Sequence, residues 1–417
     1  MLPCGYGGVG QSGALDRSQR SPSADKNRMN AISVSQLFSE NQLFNQGVQA
    51  GAFTFLAQDA RGPDGTLGSD RSAKEQTHRT LANLDTALKS IGESLNHLVS
   101  LSVFLPDYAD SAAVAEVLRA TFKTNPPAVN FVGVSGLEGD CCVRLDALAT
   151  TSQERETIFI SGIPMSIGAS CHGVRVGDFV FLSGVDAADA NGRIAPPVTI
   201  QLQTTEVLKR IQRILAEQKL ALADLCRTFM FIPGTEYRPG YGEARKEIYK
   251  GVFNEAEFPP NSGIYIRSLG QNILLRSMAI AYHGKQTIVT SPKVRLAPGS
   301  FSQSVRVGDW LLLAGQDAVG FDRIVEAEGS LAGQTEVTLQ HTKDIVEAAG
   351  GALDDIVKTT VYLTKGMDRV EFSAVYRKFF ETHSSGGSMP AGLTVEVQEL
   401  SPRCLVEIDS VAILPSR

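Results

Sequence analysis

The sequence predicts an α+β fold that is repeated three times along one chain of 417 residues. Strand-like and helix-like segments recur in three stretches at matching offsets, which is typical of an internal repeat. The order within each stretch is strands, long helix, strand, helix, strands. A proline precedes the last two strands in every copy. This order favours a mixed sheet with two helices on one face.

Each copy opens with a strand-like segment that ends in Asp-Ala. In the second and third copies the tetrad Arg-Val-Gly-Asp comes directly before it. The three segments are FTFLAQDA (53–60), FVFLSGVDA (179–187) and WLLLAGQDA (310–318).

A helix that opens on Gln-Thr follows, and another strand begins 23 residues after each glutamine, at Gln76, Gln203 and Gln334. A second helix has apolar and aromatic residues at helical spacing. The second helices are 110–122, 241–253 and 369–380. The closing prolines are Pro127, Pro260 and Pro390, and the last strands are CCVRLDALA (141–149), ILLRSMAIA (273–281) and CLVEIDSVA (404–412).

We therefore expect three domains, 30–151, 152–285 and 286–417. Residues 1–29 are rich in Gly, Ser, Arg and Asp. They lack the apolar core of a secretory signal, and we expect a disordered leader. Since helices cover only one face of each sheet, the other faces need burial. Packing the three inner faces around one axis would give an intramolecular pseudo-trimer barrel, which is compatible with a monomer.

The composition narrows the choice of partners. A net charge of −6 argues against a nucleic-acid surface. No apolar run is long enough to span a membrane. Six cysteines without a zinc-type spacing indicate free thiols in a reducing compartment. We expect a cytoplasmic protein that binds a small molecule, with neither nucleic acid nor membrane as partner.

The third copy resembles the Rid (YjgF-type, RidA-like) family of reactive-intermediate deaminases in its opening, central and closing segments. These are 299–318, 345–363, 390–400 and 406–414. The second copy shows the same likeness in 177–187 and 260–269. The first copy is assigned to the family mainly because it repeats the pattern of the other two. The resemblance implies a chorismate-mutase-like domain and clefts between adjacent units. It also implies hydrolysis of imines or enamines to a keto product and ammonia, without metal or organic cofactor.

The family's carboxylate-gripping arginine position holds Val129, Asn261 and Gly392. None of these side chains can form a bidentate pair with a carboxylate. We therefore expect a substrate without the usual free α-carboxylate, with Asn261 among the groups that bind it.

The family's last-strand glutamate is kept only as Glu407, while Arg144 and Arg276 replace it in the other copies. The resemblance makes Glu407 the candidate acid/base or water-orienting group. The two arginines are candidates to clamp an anionic group. Asp146 and Asp409 share the same strand face, and we expect them to be solvated.

Four further candidates follow from the family pattern. Phe44 and Phe301 stand at the tyrosine position and would keep the cleft wall apolar. Ser183 keeps the strand-end hydroxyl. His172 replaces the glutamine found at the equivalent position in the other copies, so we expect it to line a cleft.

We therefore predict a divergent hydrolase acting on the C–N bond of an imine or enamine, with the cleft that contains Glu407 as the active one. Two alternatives stay open. One is a non-hydrolytic cyclase or tautomerase of a specialised metabolite. The other is a ligand-binding or regulatory scaffold without turnover. Burial of Glu407 beside an open pocket would favour an enzyme.

Overall fold

The computed structural model of the chain describes residues 29–38, 43–254, 257–296 and 301–415. Apart from Met29, the predicted leader lies outside these residues. Three mixed sheets follow one another along the chain, each accompanied by two helices. We refer to each sheet with its helices as unit 1, unit 2 and unit 3.

Unit 1 has the strand order β1-β2-β3-β6-β4-β5, in which β4 and β5 are parallel and the other neighbours are antiparallel. Its elements are β1 (Asn30–Ile32), β2 (Gly47–Ala50), β3 (Phe53–Asp59), α1 (Ala73–Lys89), β4 (Leu98–Leu105), α2 (Ser111–Thr121), β5 (Ala128–Gly133) and β6 (Arg144–Thr150).

Unit 2 repeats this topology, with one added two-residue strand that pairs with the last strand. Its elements are β7 (Arg155–Ile158), β8 (Gly173–Val176), β9 (Phe179–Leu182), β10 (Val185–Asp186), α3 (Ile200–Glu217), β11 (Leu225–Ile232), α4 (Arg238–Tyr249), β12 (Asn261–Tyr265) and β13 (Arg276–Tyr282).

Unit 3 again has one parallel pair, β17 with β18, and its sheet order matches that of unit 1. Its elements are β14 (Gln286–Val289), β15 (Ser304–Val307), β16 (Trp310–Leu313), α5 (Leu331–Ala348), β17 (Ile356–Thr364), α6 (Arg369–His383), β18 (Ala391–Val397) and β19 (Val406–Ile413). The predicted α+β order therefore holds in all three units. Within the described chain, no helix combines the length and apolar character that a membrane crossing needs.

The long helices begin in the same way in every unit. A hydroxyl side chain precedes each one and accepts a hydrogen bond from a backbone N–H in the first turn, as N-caps do. The caps are Ser72, Thr199 and Ser330.

The recurring glutamine of these helices holds the loop before the last strand. The Gln334 side chain accepts a hydrogen bond from the Leu405 N–H at 2.7 Å and donates one to the Arg403 carbonyl. Gln76 accepts from the Cys142 N–H and Gln203 from the Leu274 N–H in the same way. Each anchored residue lies two positions before Arg144, Arg276 or Glu407. The glutamine therefore recurs in all three copies because its side chain holds the start of the strand that carries Arg144, Arg276 or Glu407.

The inner faces of the three sheets meet in one shared apolar cluster. Three aromatic residues at equivalent positions lie together there: Phe53, Phe179 and Trp310. The Trp310 ring centroid lies 4.8 Å from that of Phe53 and 5.0 Å from that of Phe179. Among the described strands, the sheets stay separate, each with its own ladder, rather than joining into one closed barrel. Side-chain packing and isolated bridges, such as Gly136 to Glu396, connect the units.

Candidate active site

A cleft of about 610 Å³ opens between unit 2 and unit 3. Strand β12 and helix α4 of unit 2 contribute Asn261, Tyr265 and Arg238 to its lining. Strand β19 and the segment after β16 in unit 3 contribute Glu407 and Asp317. The wall facing Glu407 therefore comes from unit 2, which the sequence could not indicate.

Glu407 is a buried acid of this cleft, with only 5% of its surface exposed. Burial raises the pKa of its carboxyl well above the usual range, and the nearby charges of Asp409 and Asp317 raise it further. Arg227 and Arg238 oppose this shift. Burial and neighbouring acids disfavour the charged form of a carboxyl. The surroundings of Glu407 therefore favour its protonated form, which can donate a proton.

Tyr265 adds a second proton-bearing group to the cleft. Burial raises the pKa of its phenol, while a hydrogen bond with Arg238 lowers it. Because the rise prevails, the hydroxyl stays protonated and can donate a hydrogen bond. Arg238 is near both Tyr265 and Glu407, so its charge stabilises negative charge that develops on either one.

Gly315 lies against the carboxyl of Glu407. A Cβ atom at position 315 would lie 2.1 Å from Oε1 of Glu407 and 2.7 Å from Oγ of Ser262. The backbone N–H of Gly315 donates a hydrogen bond to that Ser262 hydroxyl at 2.9 Å. A side chain at this position would displace the carboxyl, so the glycine permits the close approach of strand end and acid.

The equivalent place between units 1 and 2 is filled by an ion pair. Nη2 of Arg276 lies 2.7 Å from Oδ2 of Asp186, and Nη1 donates hydrogen bonds to the Tyr108 hydroxyl and the Phe131 carbonyl. Arg276 has no exposed surface. Its guanidinium therefore binds protein groups here, and the clamp on an anionic substrate group stays a prediction.

Between units 3 and 1 the corresponding crevice measures only about 30 Å³. Arg144 lines it beside Asp59 and Arg61. Phe44 packs against Gly392, where an added Cβ would lie 2.5 Å from the Phe44 ring. The ring thus fills the space at the position of the missing arginine. A substrate contact of Arg144 or Phe44 stays a prediction.

The other predicted site residues divide between the open cleft and the backbone of unit 2. Asn261 and Phe301 line the cleft with Glu407. Ser183 donates a hydrogen bond to the Cys171 carbonyl and accepts one from the Val129 N–H of unit 1.

His172 forms hydrogen bonds with the backbone of its own unit. Its Nδ1 accepts a hydrogen bond from the Ile160 N–H, and its Nε2 lies 2.9 Å from the Ile163 carbonyl oxygen. Gln303 uses its side-chain amide in the same way on the backbone of Ser291 and Val294. His172 therefore holds a loop of unit 2, and its contact with a substrate stays a prediction.

Asp146 and Asp409 are ion-paired and not solvated, which corrects the expectation from the strand pattern. Asp409 lies 2.5 Å from Nη2 of Arg227, and Asp146 lies 2.6 Å from Nζ of Lys358. Both pairs join two different units, so a reading of one strand could not reveal them. Among the described residues, no group of three His, Cys, Asp or Glu side chains is placed to hold a metal ion.

Sequence reasoning missed Asp317, although its signal was present in the Asp-Ala that ends all three opening segments. Asp59, Asp186 and Asp317 each lie beside an arginine, at 2.6, 2.7 and 3.7 Å. In unit 2 that arginine is Arg276 itself. In unit 3 the equivalent residue is Glu407, so the aspartate faces another acid and raises its pKa.

Comparison with known proteins agrees with the repeat. The family model described as endoribonuclease L-PSP matches three times, at residues 36–151, 162–283 and 293–414. A RutC family protein of Pyrococcus horikoshii is 36% identical over 114 residues, which are 27% of this chain and 86% of that protein. The 2-iminobutanoate/2-iminopropanoate deaminase of Escherichia coli K12 is 35% identical over 117 residues, 28% of this chain and 89% of that protein.

One similar structure spans several units. A chorismatase crystal structure covers 76% of this chain and 93% of its own, with a TM-score of 0.54 and 14% sequence identity, which shows a shared fold alone. The relatives cover single units, and the family model matches every unit in turn. The chain therefore belongs to the endoribonuclease L-PSP family, the Rid/YjgF family, and carries three tandem copies of its domain.

Proposed function

We propose that the chain is a Rid-type enzyme that hydrolyses the C=N bond of a small imine or enamine in the cleft between units 2 and 3. The burial of Glu407 in this open cleft, with a strongly raised pKa, carries the proposal. Perturbed acids inside clefts are typical of functional sites. The similarity to an imine deaminase supplies the reaction type.

The reaction converts an imine and one water into a carbonyl compound and ammonia. The protonated Glu407 donates its proton to the imine nitrogen, which makes the imine carbon more electrophilic. Water adds to that carbon, and the carboxylate takes a proton from it. That proton then passes to the nitrogen, and the C–N bond breaks as ammonia leaves. The carboxylate takes the remaining hydroxyl proton as the C=O bond forms, which regenerates the acid. A raised pKa keeps a proton on the carboxyl for the first transfer and makes its carboxylate a stronger base for the second.

Tyr265 and Arg238 support these steps, and Asn261 lines the cleft with them. The tyrosine hydroxyl can donate to the oxygen of the addition intermediate. Arg238 stabilises the Glu407 carboxylate while it is ionised. Donors that are already in place beside a developing charge stabilise it more than solvent-exposed donors do.

The proposal also assigns different roles to the three interfaces of a single-chain pseudo-trimer, with the units divided at 30–151, 152–285 and 286–417. The interface of units 1 and 2 is closed by Arg276 and Asp186, and that of units 3 and 1 by Phe44. These two interfaces serve as scaffold. We place the protein in the cytoplasm, and the net charge of −6 favours a small molecule over a nucleic acid as its substrate.

A second candidate is a cyclase or tautomerase. The observation that favours it is that Glu407 and Tyr265 supply two proton-bearing groups in one cleft, which is sufficient for moving a proton without water. A regulatory scaffold without turnover would leave the buried Glu407 carboxyl without a role.

Ammonia release from freshly generated imines tests the proposal. We expect turnover by the wild type and a loss of at least 100-fold in Glu407→Gln, which keeps the shape and removes the acid. Lys74→Met is the control, because it removes an exposed charge of unit 1, which does not line this cleft. Formation of an isomer without ammonia would favour the second candidate, and the absence of any turnover would contradict both enzymes.

A further inference from the structure

A side chamber of about 60 Å³ adjoins the candidate cleft. Apart from Arg238, the residues that line it belong to unit 3. The chamber and the cleft share five lining residues, so the two spaces are neighbours. These are Arg238, Phe301, Gly315, Asp317 and Ser401. Gly315 also lies against the Glu407 carboxyl, so the chamber is close to the reacting centre.

His341 of helix α5 lines this side chamber and is only 9% exposed. Its Nδ1 lies 3.0 Å from the Asp317 carbonyl oxygen. Because a carbonyl can only accept, Nδ1 carries the proton of this bond, and Nε2 of the neutral ring is then an acceptor. Among the residues that the structure describes, none donates a hydrogen bond to Nε2. The imidazole therefore has one nitrogen engaged by the backbone and one available.

The other units use the same helix position to hold the strand-end aspartate. Like His341, Asn83 and Arg210 stand seven residues after the recurring glutamine. Asn83 donates a hydrogen bond to the Asp59 carbonyl at 2.7 Å. Arg210 donates one to the Asp186 carbonyl at 2.8 Å. The backbone bond is therefore common to all three units, and only unit 3 makes it with an imidazole, whose second nitrogen reaches further.

A buried acceptor such as Nε2 of His341 needs a donor. Buried polar groups nearly always have a hydrogen-bond partner, because an unmade bond leaves the cost of removing the group from water uncompensated. The described chain supplies no donor for Nε2, so we look for it in a molecule that enters the chamber.

The charges and the size of the chamber favour a hydroxyl as this donor. Its charged lining residues are Arg238, Arg295 and Asp317. Two cations beside one acid disfavour an ammonium group, and an anionic group would place its lone pairs against that of Nε2. A water molecule occupies roughly 30 Å³ in the liquid, so about 60 Å³ has room for roughly two groups of this size, such as a methylene and a hydroxyl.

We infer that the side chamber is a hydroxyl subsite and that the substrate carries a hydroxyl group near its C=N carbon, which donates a hydrogen bond to Nε2 of His341. This inference rests on the proposed function for the identity of the reacting group. A substrate without the hydroxyl leaves Nε2 buried and without a donor, so the site selects the hydroxylated molecule. His341 is thus a specificity-determining residue and takes no part in the proton transfers at Glu407.

Binding of stable ketones, measured by ligand-observed NMR titration, tests the subsite independently of turnover. The probes are 4-hydroxybutan-2-one, pentan-2-one, in which a methyl group replaces the hydroxyl, and 4-methoxybutan-2-one, which keeps the oxygen but cannot donate. We expect the hydroxyketone to bind at least tenfold more tightly than the other two. Equal binding of the hydroxyketone and pentan-2-one would show that water satisfies Nε2 and would overturn the inference. Equal binding of the methyl ether would overturn it as well.

Two replacements taken from the other units should remove this preference and keep the fold. His341→Arg introduces the residue of unit 2, which has donors only. His341→Asn introduces the residue of unit 1, which can hold the Asp317 carbonyl but is too short to place an acceptor where Nε2 lies. His283→Asn changes a histidine whose side chain is 61% exposed, so it is the matched control and should change nothing. A preference that survives both replacements of His341 would overturn the inference.

Glu407→Gln separates this inference from the proposed function. It should abolish ammonia release and keep the preference for the hydroxyketone. A preference in a wild type that turns over no imine would support the subsite and contradict the deaminase. Turnover of imines by a wild type that binds the hydroxyketone and pentan-2-one equally would support the deaminase and contradict the subsite.

Discussion

The ion pair of Arg227 with Asp409 joins units 2 and 3, with Nη2 2.5 Å from Oδ1. The Ser262 hydroxyl donates a hydrogen bond to the same carboxylate and accepts one from the Gly315 N–H. Gly315 in turn lies against Glu407. This ion pair is thus connected to the candidate cleft through one serine, and the same two charges act on the pKa of Glu407.

Removal of one partner of this pair should destabilise the protein strongly. We expect Asp409→Asn to lower the free energy of unfolding by about 3–5 kcal/mol, because Arg227 stays buried without its carboxylate. The double variant Arg227→Met with Asp409→Leu should recover most of the loss. Urea unfolding measures both.

The exposed pair Lys74–Glu116 is the control for this comparison, with side chains 53% and 65% exposed. Lys74→Met should change the free energy of unfolding by no more than about 1 kcal/mol. Equal losses for Asp409→Asn and Lys74→Met would show that the pair of Arg227 with Asp409 is not buried as described.

Glu407 makes both activity and stability depend on pH. Because its folded-state pKa lies above that of the unfolded chain, the folded protein binds more protons between the two values. Its contribution to stability is therefore fully present below the unfolded pKa and is lost as the pH rises through the folded pKa. Activity should fall as the pH rises through the same range, because the neutral form of Glu407 donates the proton.

Glu407→Gln should lack this pH dependence. As the pH rises, the wild type should therefore lose free energy of unfolding relative to the variant. Asp409→Asn should move the alkaline limb of the activity profile to lower pH, because one of the charges that raises the pKa of Glu407 is gone. An unchanged limb in that variant would contradict the coupling.

Gly315→Ala should reduce kcat by about 100-fold, since its Cβ would displace the Glu407 carboxyl from a position 2.1 Å away. Gly184→Ala is the matched variant between units 1 and 2, where the Cβ would lie 2.4 Å from Oδ1 of Asn130. It should lower thermal stability and leave turnover per folded molecule unchanged. A loss of turnover in Gly184→Ala equal to that in Gly315→Ala would place catalysis elsewhere.

Gln334 acts as a positioning residue for Glu407. Gln334→Ala removes two hydrogen bonds to the loop that ends two residues before the acid. We expect about 1–3 kcal/mol less stability, from the buried backbone groups that lose their partner. Turnover should fall as well, with a shifted pH profile. Gln76→Ala removes the same anchor in unit 1 and should affect stability only.

The repeated pattern predicted the three sheets and their helices, because every unit shows the same apolar periodicity. The family resemblance suggested Glu407 as the candidate acid, and its catalytic role stays a prediction. Neither could identify Arg238 or Arg245 as cleft residues, since α4 reaches the cleft only through the packing of two units. The sequence pattern could not predict the ion pairs of Asp146 and Asp409 for the same reason. Where a partner lies in another unit, the spacing along one strand carries no signal.

The ring contact of Phe53 with Trp310 has a consequence for biosynthesis. The two residues are more than 250 positions apart, so the inner face of the first sheet is made long before the tryptophan that covers it. At translation rates of roughly 5–20 residues per second, the ribosome needs on the order of tens of seconds to synthesise the residues between Phe53 and Trp310. During this time the nascent chain exposes an apolar sheet face at the ribosome. A chaperone that binds such surfaces would bind the chain at this stage.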